Sequence, residues 1–129
     1  MATIKSYTDL EQSKKLAEFL PLESADMVLW GKDFESVCAV VMNGLEYRKM
    51  NYVPCWSLAA LIDIIPTMIG GIFEKDALRL RMDKSETDFN IWYENLDTGI
   101  VEEGFDIVET NPIDACVEMI IMLSKNGLI

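Results

Sequence analysis

Between Ser85 and Ser124 stand ten carboxylates and neither a lysine nor an arginine. Acids at this density have three chemical uses. Two that meet in a poorly solvated cleft share a proton and act as acid and base, several at loop spacing hold a hard cation, and a wet row of them attracts a basic protein surface. The cation use has no support in the spacing, because nothing like the D-x-[DN]-x-[DN]-G ligand loop is present. Paired-carboxylate catalysis needs a concave site that spacing alone does not supply. Seven of the ten also have ordinary structural positions: Asp97 in a turn, Asp114 at a helix N-terminus, Asp88 ahead of a strand, Glu118 on the outer side of the last helix, and Glu94, Glu102 and Asp106 on outward strand faces. A solvated face that keeps the chain soluble is the plainest reading. It leaves the missing lysines unexplained, since unrelieved like charge costs stability through self-repulsion; docking against a basic partner is the functional alternative.

A second group adds to the docking reading. Period-two spacing predicts Trp92 on the same outward face as Arg79 and Arg81 of the neighbouring strand, where a guanidinium could stack on the indole. An exposed tryptophan beside arginine is the composition of interface anchors. The competing expectation is a further layer that covers this face and makes Trp92 core. The interface candidates are therefore Trp92, Arg79, Arg81, Glu102, Glu103 and Asp106. Trp30 and Trp56 adjoin apolar runs and are expected in the core.

Other chemistries are excluded by composition. The chain has no histidine, which removes the commonest general base and metal ligand and every Ser-His or Cys-His pair. There is no C-x-x-C for redox or zinc work, and Gly70-Gly71 is followed by Ile-Phe-Glu without a phosphate-binding lysine. No catalytic, cofactor-binding or metal residue is assigned, no cofactor is expected, and the expectation is a protein that is not an enzyme. The three cysteines, Cys38, Cys55 and Cys116, are odd in number, widely spaced and set among apolar neighbours, as expected of buried, reduced thiols in the cytoplasm.

Length and charge bound the rest. At 129 residues the chain has the size of one domain, and half its residues are hydrophobic, enough for a core. Residues 1–84 carry 12 acids and 10 bases, so most of the net charge of −11 comes from the later segment. A chain of this sign is repelled by phosphate backbones and anionic membranes. The start "MATIKSYTDLEQ" reads as no targeting segment, and no apolar run approaches the roughly 20 residues a bilayer requires.

The elements that must position these residues follow from caps and periodicity. Thr8 and Glu11 read as a capping box opening a helix that carries Leu10, Leu16, Ala17 and Leu20 on one stripe and stops at Pro21. Met27–Trp30, Val37–Met42 and Leu45–Val53 read as two or three short antiparallel strands, with Asn43-Gly44 as a hairpin turn. "PCWSLAALIDIIP" reads as a helix over Trp56–Ile65, apolar nearly all round and so buried on most sides. Leu78, Leu80 and Met82 alternate with Arg79 and Arg81, and Phe89, Ile91 and Tyr93 with Asn90, Trp92 and Glu94. With Ile100–Val108 these make a three-stranded meander, in which Glu102-Glu103-Gly104 breaks the alternation as a bulge or bend. Asn111 as N-cap, Pro112 in the first turn and Gly127 as stop bracket the last helix, with Ile113, Cys116, Val117 and Ile120 inward. The expected fold is a single α+β domain over 1–129, an antiparallel sheet of about five short strands with N-terminal, central and C-terminal helices.

Three blocks also resemble a known family: "DLEQSKKLAEFLPLESADM" (Asp9–Met27), "PCWSLAALIDIIP" (Pro54–Pro66) and "NPIDACVEMIIMLSKNGLI" (Asn111–Ile129). They are similar to recurring blocks of a family of small uncharacterised proteins of gut bacteria, their phages and mobile elements, and together cover about two-fifths of the chain. Val28-Leu29-Trp30 departs from the family's aromatic-rich run after its first block. The resemblance implies an accessory, modulatory role and no particular activity. Three functions are thus expected in descending order: a small acidic interaction module with an unidentified protein partner, a basic protein or further copies of the chain in a homo-oligomer being the candidates; an acidic inhibitor that imitates nucleic acid before a DNA-binding protein; and a carboxylate enzyme.

Overall fold

The computed structural model describes residues 5–39, 51–70 and 76–129. The class is α+β; among the described residues there are three α-helices, and antiparallel strands form two sheets of three and four rather than one of five. The chain divides into two compact units, Met1–Ile64 and Ile65–Ile129.

The first unit opens with α1 (Leu10–Leu16). Its N-cap is Asp9, whose carboxylate accepts from Gln12 N–H while Gln12 reaches back to Asp9 N–H, so the capping box lies one residue later than the Thr8–Glu11 pair expected. Thr8 is drawn inward instead: its N–H donates to Trp56 O at 3.0 Å and its hydroxyl accepts from Trp56 N–H at 3.1 Å. The helix ends at Leu16 and turns lead to Pro21. Strand β1 (Met27–Trp30) lies between β2 (Ser36–Cys38) and β3 (Val53–Cys55), both antiparallel to it. The Asn43-Gly44 turn lies outside the described residues.

Helix α2 (Leu58–Ile64) is shorter than the span expected and less buried. Leu61 is fully buried, but Ala59, Ile62 and Asp63 face solvent, so the helix presents one apolar side inward and leaves others wet. Trp56 is fully buried, as expected, whereas Trp30 is 41% exposed at the end of β1 and leans on Tyr52 with ring centroids 6.5 Å apart. Cys38 is exposed as well, against the expectation of three buried thiols; Cys55 and Cys116 are buried.

The second unit holds the meander: β5 (Leu78–Lys84), β6 (Phe89–Asn95) and β7 (Val101–Glu109), with the two-residue β4 (Met68–Ile69) added on the far side of β5. Helix α3 (Pro112–Lys125) packs on β6 and β7. Asn111 caps it through Asp114 N–H at 2.9 Å, with Pro112 in the first turn. Its C-terminus closes with Gly127 at φ +68°, where Leu128 N–H donates to Leu123 O and Gly127 N–H to Ser124 O, a Schellman pair. The buried arc of α3, Ile113, Ala115, Cys116, Val117, Met119, Ile120 and Leu123, is wider than the single stripe read from the sequence. Ile91 and Tyr93 of β6 are fully buried on the same side, and the Tyr93 hydroxyl donates to Pro66 O at 2.5 Å.

Candidate interaction surface

Directly opposed residues of antiparallel strands share a face. Arg79 stands opposite Glu94, Arg81 opposite Trp92, and Trp92 in turn opposite Asp106 of β7, so Arg79, Arg81, Trp92 and Asp106 share the face turned away from Ile91 and Tyr93. The expected Arg–Trp stack is replaced by a carboxylate hub. Arg79 Nε–H donates to Glu94 Oε1 at 2.9 Å, Arg81 Nε lies 3.5 Å from the same oxygen, and the Trp92 indole N–H reaches Glu94 Oε2 at 3.4 Å. Glu94, expected on a wet face, is only 9% exposed. It lies on the outer face yet sits beneath two guanidiniums that remain half in water. The hydrogen bond from Arg79 first, then that from Trp92 and the charge of both arginines, hold its carboxyl below the usual range against a desolvation that works the other way. Trp92 is half-buried and its polar edge is already engaged.

β7 is arranged differently. Its pairing with β6 is regular from Asp106 to Glu109 and resumes at Val101, with a register shift opposite Trp92 and Glu94. This is the bulge expected at Glu102-Glu103-Gly104, and Gly104 takes φ +85°, a conformation that glycine adopts without strain. The sheet order is β4-β5-β6-β7, so among the described residues β7 has strand pairing on one edge only. Glu102, Glu103 and Asp106 are all exposed along it, and none of the three is ion-paired among the described residues. Large exposed apolar side chains flank them, Ile100 (just before β7) at 69%, Val101 at 45% and Val108 at 61%. Nothing in the composition of the segment distinguished this edge from the other strands; the sheet order does.

A groove runs between β7 and α3. Ile107, whose partner Ile91 is buried, lines one side, and Glu118, Ile121, Met122 and Lys125, which recur at helical spacing on one flank of α3, line the other with Asn126; its volume is about 410 Å³. Glu118 was expected to be an ordinary hydrated acid. It is exposed but shares a hydrogen bond with Glu109 at the end of β7, and that contact, with partial desolvation and the nearby charges of Glu109 and Asp114, pushes its pKa up to about 7. Sequence reasoning missed this pair because its members are nine positions apart on different elements.

The remaining polar clusters are structural. In the first unit Ser57 donates its hydroxyl to Asp26, whose other oxygen accepts Ser57 N–H at 2.9 Å, and the same hydroxyl accepts Ala60 N–H at 3.2 Å, capping α2. Cys55 Sγ–H donates to Thr8 O at 3.3 Å beside the Thr8–Ser13 hydroxyl pair, and burial pushes its thiol pKa up. Among the described residues no three acidic or cysteine side chains converge as a metal-binding group, and no helix is long and apolar enough to cross a membrane. In comparisons with known proteins, no family model, curated protein or solved structure matches the chain.

Proposed function

We propose that this protein is a small acidic cytoplasmic interaction module, acting by binding and not by catalysis, whose β7 edge docks a basic surface of a partner protein. One observation carries the reading: three exposed carboxylates with no ion pair among the described residues, Glu102, Glu103 and Asp106, lie between the exposed aliphatic side chains Ile100 and Val101 on one side and Val108 on the other, along a strand with an open edge. Clustered acids steer a basic partner and suppress wrong ones, while the aliphatic groups supply the burial that charge alone does not. The mixture also favours protein docking over imitation of nucleic acid, which would present charge without apolar contact. The three blocks that resemble small uncharacterised proteins of gut bacteria, their phages and mobile elements imply an accessory context, in keeping with a modulatory rather than a metabolic role. The carboxylate pair Glu109–Glu118 supports an enzyme less well, because Glu118 remains exposed.

The test is retention of basic proteins on the immobilised chain across a salt gradient. Retention should weaken steeply above about 0.15 M salt, where the screening length falls below roughly 8 Å. The triple variant Glu102→Lys, Glu103→Lys, Asp106→Lys should abolish it; unchanged retention by that variant would refute the proposal.

A further inference from the structure

We infer that an extended, basic segment of the partner adds to the open edge of β7 as a further strand and lays a lysine side chain in the groove beside α3, its ammonium against Glu118. This inference rests on the docking reading above and names what docks.

The geometry of the second unit leads to it. Helix α3 lies over β6 and β7, the last two strands of the sheet, so its outer flank has no strand beneath it among the described residues. That flank is built as if one were there: Ile121 and Met122 line the groove with Ile107, and only the ends of the groove are polar. At about 410 Å³ the space exceeds what one side chain needs and falls within the roughly 300–1,000 Å³ of small-ligand clefts. A strand added about 4.8 Å beyond β7 would send every second side chain toward the α3 side. From Glu118 to Lys125 the helix rises about 10 Å at 1.5 Å per residue. Two same-side residues of a strand, about 6.6 Å apart, fit within that length.

Charge decides which residues they are. Glu118, with Glu109 and Asp114 near it, makes one end of the groove negative; Lys125 and Asn126 close the other. A lysine suits this gradient in both its parts, laying its methylenes on Ile107 and Ile121 and its ammonium at Glu118. An aliphatic residue two positions along would cover Met122. A partner carboxylate at the first position would meet Glu118, Glu109 and Asp114 together and be rejected. The edge itself directs pairing to one stretch: Glu102, Glu103 and the bulge at Gly104 break the regular edge, leaving Phe105–Glu109, beside the groove, as the part able to accept a strand.

The test uses the full chain and a fluorescent octapeptide of alternating threonine with lysine and isoleucine in turn at the intervening positions, read by anisotropy. The wild-type chain should bind it about tenfold more tightly than the same peptide with norleucine for lysine, which keeps the stem and loses the ammonium. Of two peptides N-methylated at alternate residues, in opposite phase, one should lose binding and the other keep it, because only one set of donors faces β7. Glu118→Gln should erase the preference for lysine over norleucine while the phase dependence persists, which shows the variant folded. Equal binding of lysine and norleucine peptides by the wild-type chain, or indifference to N-methylation, overturns the inference. If the wild-type chain ignores the octapeptide while charge reversal on β7 still abolishes retention of basic proteins, strand addition falls and the docking reading stands.

Discussion

Arg79 and Glu94 face each other across β5 and β6, Nε to Oε1 at 2.9 Å, and this pair turns an acid of the base-free segment into the anchor of its own sheet face. Arg81 and the Trp92 indole close on the same carboxylate. Glu94 therefore stabilises the folded state while ionised. Its depressed folded pKa means that this contribution is present above the ordinary glutamate pKa and is lost as pH falls through the folded value. The indole N–H resonance of Trp92, assigned with Trp92→Phe, should shift with a midpoint below that of an ordinary glutamate, and Glu94→Gln should abolish the shift. A midpoint at or above the ordinary value contradicts the hub.

Glu118 runs the opposite way. Its folded pKa is raised to about 7, so the folded chain holds a proton that the unfolded chain releases near pH 4.5. The associated stability is complete below the unfolded value and lost as pH rises through 7. The groups that face it are Glu109 on β7 and Asp114 on its own helix, with Lys125 at the other end of the groove. Glu118→Gln should melt close to wild type at pH 5 and higher than wild type at pH 8. Identical differences at both values would show that the Glu118 carboxyl is not raised to about 7.

Gly104 has φ +85° and open space where a Cβ would stand. The cost of a side chain there is conformational, not steric. Gly104→Ala should lower stability by about 1–2 kcal/mol, and Gly104→Asn by less, because asparagine tolerates the left-handed region. Denaturant melts of the two variants decide this; an alanine variant as stable as wild type would mean the bulge has relaxed.

Ser57 caps α2 and is itself held by Asp26, the residue that precedes β1. Ser57→Ala removes the cap and strips a half-buried carboxylate of a partner. A loss of about 0.5–2 kcal/mol is expected from the cap alone, read as a shift in denaturant midpoint at unchanged slope. No shift would remove Ser57 from the capping role.

The three thiols should separate by reactivity. Cys38 is exposed and should react with a thiol reagent at once; Cys116, buried and pushed up to about 11, and Cys55, buried against Thr8, should react only on unfolding. One fast thiol followed by two that appear with denaturant is the expected titration. Three fast thiols would contradict the burial of Cys55 and Cys116.

The sequence alone determined what is locally encoded. The limits of α3 follow from Asn111, Pro112 and Gly127, the meander from strict alternation, and the bulge from Glu102-Glu103-Gly104, because each signal acts within a few residues on the backbone that carries it. Where two local signals competed, long-range contacts chose: Thr8 was free to cap α1, but its partners at Cys55 and Trp56, forty-seven and forty-eight positions away, took it into the core and left the cap to Asp9. The exposure of Trp30, the half-wet α2, the burial of Glu94, the pairing of Glu118 with Glu109 and the groove beside β7 were decided only in the tertiary structure. Each depends on which strand is last in the sheet and which residues stand opposite one another, and register between distant segments leaves no mark on the spacing within either one.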